Sequence, residues 1–140
     1  MSSWGNSTRM KTYSLPEAIA VLPQVRTLLA QVVEIANTLP DLEDEAHIAD
    51  YEAARSGASG DLVARRAQNR NALRATQIEL VDVLEALAAM GIQVKDARTG
   101  LVDFLSYRDG ELVELCWKLG EAGIGHWHPI GEGFSGRRPL

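Results

Sequence analysis

Leu101-Val102-Asp103-Phe104-Leu105-Ser106-Tyr107-Arg108-Asp109-Gly110-Glu111-Leu112-Val113-Glu114-Leu115-Cys116-Trp117-Lys118 is the stretch that decides the fold. Two runs rich in apolar and aromatic residues flank Asp109-Gly110. An Asp-Gly pair in that setting specifies a two-residue hairpin turn of type I′. The turn fixes the register. Arg108 opposes Glu111 as an opposite-charge pair, Ser106 opposes Val113, Phe104 opposes Leu115 and Val102 opposes Trp117. That face is apolar except for Ser106 and the Arg108–Glu111 pair, and it is the one to bury. The other face pairs Tyr107 with Leu112, Leu105 with Glu114, Asp103 with Cys116 and Leu101 with Lys118. It is mixed, and a slip of one residue would exchange the two faces. Chemistry is expected on this second face, where Asp103, Cys116 and Lys118 gather.

N-terminal to the hairpin the composition changes. Residues 15–90 contain only Gly57 and Gly60, whereas residues 91–140 contain nine glycines. Helices are expected first, then short strands and turns. Ser14 and Glu17 have capping-box spacing, with Pro16 in the first turn. Ile19, Leu22, Val25, Leu28, Leu29, Val32, Ile35, Ala36 and Leu39 follow at helical spacing. Pro23 predicts a kink, and Pro40 an end or bend. Residues 41–60 read as a connection, helical in part near Leu42 to Arg55. Asp61 reads as the N-cap of a second helix running to Met90, with Gly91 as its C′ residue. Its first half is basic and the connection before it acidic, so solvated faces of opposite sign meet across the hairpin tip. The Arg66, Arg70 and Arg74 stripe leaves a phosphate or acidic partner as the alternative.

The chain has 140 residues, the size of one domain. Lys plus Arg is 14 and Asp plus Glu is 19, a net −5, which speaks against a nucleic-acid binder. One cysteine excludes an intrachain disulfide. Met1 to Lys11 is polar and lacks a signal-peptide core, and Met10 offers an alternative start. No stretch approaches the ~20 apolar residues of a membrane span. The expectation is a cytoplasmic protein.

Other motifs carry less. Asp44-Glu45-Ala46-His47 spells a helicase box without any phosphate-binding loop. Asp44 and His47 lack the second Glu-x-x-His of a di-metal bundle. Gly131-Glu132-Gly133-Phe134-Ser135-Gly136 matches G-x-G-x-x-G outside the βαβ unit that a dinucleotide site needs. Cys116 reads as a small buried hydrophobe unless a neighbour such as Lys118 or His128 activates it. His126 and His128 would share one face of a strand and could join Asp103 or Glu121 at a metal. No complete ligand set is legible, so no metal is assigned and the cofactor is unknown.

Gly100-Leu101-Val102-Asp103-Phe104, Arg108-Asp109-Gly110, Cys116-Trp117-Lys118-Leu119-Gly120-Glu121, Trp127-His128 and Gly133-Phe134-Ser135-Gly136-Arg137-Arg138-Pro139 occur in a recognisable order. With Ser14-Leu15-Pro16-Glu17-Ala18 and Leu22-Pro23, they resemble a bacterial family known as domain of unknown function 2203. The resemblance covers nearly the whole chain from Tyr13. It implies a helical hairpin with a β-rich end, and no established activity. It highlights Asp103, Trp117, Glu121, Trp127, His128, Phe134 and Arg137.

The fold class is α+β: a long antiparallel helical hairpin packed on a small antiparallel β-sheet. Residues 1–12 form a flexible extension and 13–140 one domain, with the hairpin over 14–90 and the β-rich end over 91–140. Asp103, Glu121, His128 and Arg137 are the candidate ligand-binding residues, expected to converge in a shallow pocket. Arg137 would suit a small anionic or polar ligand. The favoured function is a non-enzymatic ligand- or protein-binding module. A homodimer or higher oligomer is expected through uncovered helical side chains such as Leu29, Val33 and Val83. The alternative is a small enzyme, with or without a metal, at the β-rich end.

Overall fold

The computed structural model describes residues 11–55 and 57–140. Residues 1–10 of the expected extension, Met10 included, lie outside them. Among the described residues, two helices, α1 (Leu15–Ala54) and α2 (Gly60–Ala89), precede five strands. These are β1 (Ile92–Asp96), β2 (Leu101–Arg108), β3 (Glu111–Lys118), β4 (His126–Pro129) and β5 (Arg138–Pro139), with a 3₁₀ turn at Phe134–Gly136. The strands form one antiparallel sheet in chain order. Beyond the hairpin, β4 pairs along the free edge of β3 and β5 along β4, so the C-terminal segment extends the sheet.

The sequence predicts a broken first helix, but α1 runs for 40 residues through both Pro23 and Pro40. Each proline removes one backbone donor and crowds the preceding turn. Both prolines face solvent, where water can satisfy the freed carbonyls. The buried residues Leu22, Val25, Leu29, Val32 and Ile35 continue unbroken past Pro23. Packing along that stripe outweighs the local defect. The capping box forms as expected, with the Glu17 N–H donating to Ser14 Oγ at 3.2 Å and the Ser14 N–H to Glu17 Oε1 at 2.8 Å. The cap of α2 is Ser59 rather than Asp61, its Oγ accepting from the Leu62 N–H at 3.3 Å. At the far end Gly91 has φ +77°, as a C′ glycine should.

The β2–β3 register agrees with the derivation at all four pairs of each face. Asp109 and Gly110 both have positive φ, as a type I′ turn requires. Val102, Phe104, Leu115 and Trp117 form the core with Leu22, Val25, Leu29 and Val32 of α1, and with Val83 and Leu87 of α2. Tyr13 seals one margin. Its N–H donates to the Leu105 carbonyl at 2.7 Å, its hydroxyl to the Met90 carbonyl, and its ring meets Phe104 edge-on. Gly100 sits at φ +80°, where a Cβ would lie 2.8 Å from Leu119 Cβ. Only glycine allows the β1–β2 turn to close against Leu119 there.

Two expectations about the helical surface need correction. Leu29 and Val83 are buried and Val33 partly so, because the sheet covers them. The uncovered apolar side chains are others: Ile19, Ile48, Tyr51, Val63, Ile78 and Val81. Contrary to the hydropathy expectation, α1 does contain a window long and apolar enough to cross a bilayer. Its inner face, from Ala18 to Ile35, is buried within the fold, and the rest of that window is not.

Trp117 is fully buried on the helix-facing side of β3. Trp117→Ala is expected to cost about 3–5 kcal/mol, the range for a large aromatic lost from a core. Denaturant unfolding measures this directly, and an unmoved midpoint would contradict the packing.

Candidate functional site

The second face of the sheet carries the polar residues. In β2 and β3, Asp103 lies opposite Cys116. β4 then sets His128 opposite Glu114 and His126 opposite Cys116. Successive strand residues point to opposite faces, so all five share the side away from the helices. The chain reaches β4 through a turn after Lys118. In it, Glu121 Oε1 accepts from the Lys118 N–H at 2.8 Å and the Trp117 indole donates to the Glu121 carbonyl at 3.2 Å. The segment after β4 returns Arg137 to this face, where its Nη2 donates to both Glu121 oxygens at 2.7 and 2.9 Å. The same nitrogen reaches the Cys116 carbonyl at 3.4 Å.

The centre of this face is closed, although the pattern alone suggests a mixed, open surface. Asp103 and His128 are each 1% exposed, Glu114 5% and Cys116 0%. His128 Nδ1 lies 2.9 Å from the Pro129 carbonyl and Nε2 lies 3.1 Å from Asp103 Oδ1. Glu114 Oε1 stands 3.9 Å from Nδ1. A carbonyl only accepts, so Nδ1 carries a proton. A proton on Nε2 completes the hydrogen bond to Asp103 Oδ1.

The electrostatics follow from these contacts. Burial opposes a charged His128, but the Pro129 carbonyl, Asp103 and Glu114 together outweigh it and raise the ring's pKa. Burial, reinforced by the charge of Asp103, pushes the Cys116 thiol up to about 11. It is therefore a thiol near neutrality and a poor nucleophile. Burial alone would raise Glu121, yet the bonds from Arg137 and the Lys118 N–H hold it below the ordinary carboxylate range. Among the described residues, two buried side-chain polar atoms have no hydrogen-bond partner, Asp103 Oδ2 and Arg137 Nε.

The four sequence-predicted residues thus form two contacting pairs, Asp103–His128 and Glu121–Arg137, with Cys116 between them through its carbonyl and side chain. They do not line an open, shallow pocket, since the first pair is closed off. Glu114 was not among the expected residues. It stands in the hairpin register beside Leu105, but its partner His128 depends on the β3–β4 pairing, which the glycine-rich turn leaves unspecified in sequence. His126 shares the face, but the close group consists of Asp103, Cys116 and His128.

The remaining motifs resolve as surface features. Asp50 Oδ1 accepts from Arg66 Nε at 3.2 Å and Arg70 Nε at 2.9 Å, so the expected opposed charges do meet across the helical hairpin. Asp44 and His47 are exposed on α1. The Gly131–Gly136 stretch is a turn and a 3₁₀ segment, not a loop leading into a helix.

The chain belongs to the family of uncharacterized conserved proteins DUF2203, whose model matches residues 11–140. No curated protein and no solved structure matches it.

The Glu121–Arg137 pair makes stability depend on pH in one direction. A carboxyl lowered by folding contributes stability above its unfolded value, about 4.3, and loses it as pH falls through the folded value. Glu121→Gln is expected to cost about 1–2 kcal/mol at neutral pH, within the range for charge-assisted bonds. The gap from the parent protein should narrow below about pH 4.3. Urea unfolding at a series of pH values tests this. A gap constant down to acid would show that the ionised carboxylate of Glu121 is not the source of the loss.

Proposed function

We propose that this protein is a small non-enzymatic binding domain whose ligand site is the closed polar face of the sheet. One observation carries the reading: Asp103 is buried with half its carboxylate unpartnered. A structural network would satisfy that oxygen, because a buried unpaired acceptor costs about 1–3 kcal/mol. Groups placed for binding commonly lower stability in this way. The pKa directions favour binding over acid–base catalysis. The thiol is not ionised near neutrality, and both nitrogens of His128 face acceptors, leaving no free base.

The charge balance favours a cationic ligand rather than the anionic one expected of Arg137. Glu121 answers the Arg137 charge, while two carboxylates, Asp103 and Glu114, flank one imidazole. In ligand-free protein, Asp103→Asn is expected to leave stability within about 1 kcal/mol of the parent, or to raise it. A loss of about 3–5 kcal/mol, the cost of breaking a buried ion pair, would make the network structural and defeat the proposal. Chemical denaturation in the presence of a chelator reads the difference.

A second observation supports self-association. Away from the sheet the helical hairpin buries little beyond Ala46 and Ala49, while Tyr51 is 71%, Ile48 57% and Val63 53% exposed. We propose that copies of the chain cover these side chains. Sedimentation equilibrium at micromolar concentration should show a dimer or larger species that Ile48→Asp with Tyr51→Asp converts to monomer. A monomeric parent protein would end this part of the reading.

A further inference from the structure

Asp103, Cys116 and His128 come from three adjacent strands and meet on one face. A carboxylate oxygen, the Cys116 sulfur and a ring nitrogen of His128 all lie within 4.8 Å of one another. All three residues are buried, and Asp103 Oδ2 accepts no hydrogen bond from a nitrogen or oxygen, with the weak Cys116 S–H donor beside the carboxylate. A thiol, an imidazole and a carboxylate within this span form a donor set suited to a borderline-soft divalent ion. Calcium and magnesium prefer oxygen ligands alone.

The outer contacts fit the same chemistry. A ligating histidine commonly donates its second N–H to a carbonyl or carboxylate, which fixes the tautomer and turns the other nitrogen to the metal. Here Nδ1 sits 2.9 Å from the Pro129 carbonyl, with Glu114 behind it at 3.9 Å, so Nε2 is the nitrogen turned toward Asp103. Arg137 bonds the Cys116 carbonyl and so holds β3 at this residue.

Resting on the binding-site reading above, we infer that the ligand is a divalent transition-metal ion of the zinc type, held by Asp103, Cys116 and His128. On binding, the Cys116 S–H proton and any proton on Nε2 leave to solvent. The thiolate sulfur, Nε2 and an Asp103 oxygen donate electron pairs to the ion, and the proton on Nδ1 stays. No redox change is involved. Three protein donors leave the fourth tetrahedral position to water or to a donor atom of a further molecule. The Asp103 carboxylate and the Cys116 thiolate together balance the two positive charges of the ion.

Cobalt(II) is the probe, since it takes the same donors and reports them optically. It is added to the folded full-length protein and, in parallel, during refolding from denaturant, so that a closed face cannot hide the site. The expected result is one cobalt per chain, with a sulfur-to-cobalt charge-transfer band and the visible bands of a tetrahedral site. Zinc should displace it. Cys116→Ser should abolish the charge-transfer band, and Asp103→Asn should weaken binding by more than the roughly 10–100-fold typical of losing an outer-sphere partner. Circular dichroism establishes that each variant is folded, and two isosteric variants guard against one failing to fold. Absence of a stoichiometric band in the parent protein by either route overturns the inference. So does a band that survives both substitutions, which would place the metal elsewhere. If no metal binds while Asp103→Asn leaves the ligand-free protein as stable as before, the metal assignment falls and the binding-site reading stands with a different cation.

Discussion

Asp109 and Gly110 turn the chain at φ +52° and +80°, and that turn permits one alignment of the strands on either side. Everything else at the C-terminal end depends on this alignment. It puts Val102, Phe104, Leu115 and Trp117 on the side of the helices, where they complete a core that α1 and α2 could not close by themselves. The same alignment puts Asp103 beside Cys116 on the far side. Because side chains alternate with a period of two, displacing the register by one residue would drive Asp103 into the apolar core. The position of the candidate site and the integrity of the core thus have a single geometric cause.

The helical hairpin is held unevenly. Near the sheet, α1 presents a continuous apolar stripe, and α2 contributes Val83 and Leu87. Toward the tip the contacts become polar, with Asp50 joined to both Arg66 and Arg70 across the two helices. Exposed ion pairs of that kind contribute little each. The tip therefore depends on the packed end of the hairpin, and its apolar side chains Ile48, Tyr51 and Val63 stay exposed.

The far face of the sheet carries a different tension. Asp103, Glu114 and His128 are buried together although charged groups are expensive to remove from water. The hydrogen bonds around His128 offset part of that cost, and Glu121 with Arg137 ties the C-terminal segment beside it. The unpartnered Asp103 oxygen shows that the offset is incomplete within the chain itself. The strands place these groups, and the proposed metal assignment rests on the donor set they bring together rather than on the fold class.

By itself the sequence determined the features set by local rules. The Ser14–Glu17 cap, the helical stripe of α1, the glycine that ends α2 and the full hairpin register all follow from contacts within a few residues or across one tight turn. The α+β architecture follows from these in turn. Asp103, Glu121, His128 and Arg137 were legible as residues, but their division into two pairs was not. Tertiary structure alone decided what distant packing controls. It carried α1 through Pro23, since burial along a continuous stripe outweighs one lost hydrogen bond there, and on through Pro40, where the helix is mostly exposed. It added β4 and β5 and set His128 against Glu114 across a seven-residue, glycine-rich connection that encodes no register. It also closed the second face of the sheet, because the alternation of a strand states which residues share a side but not what will cover them.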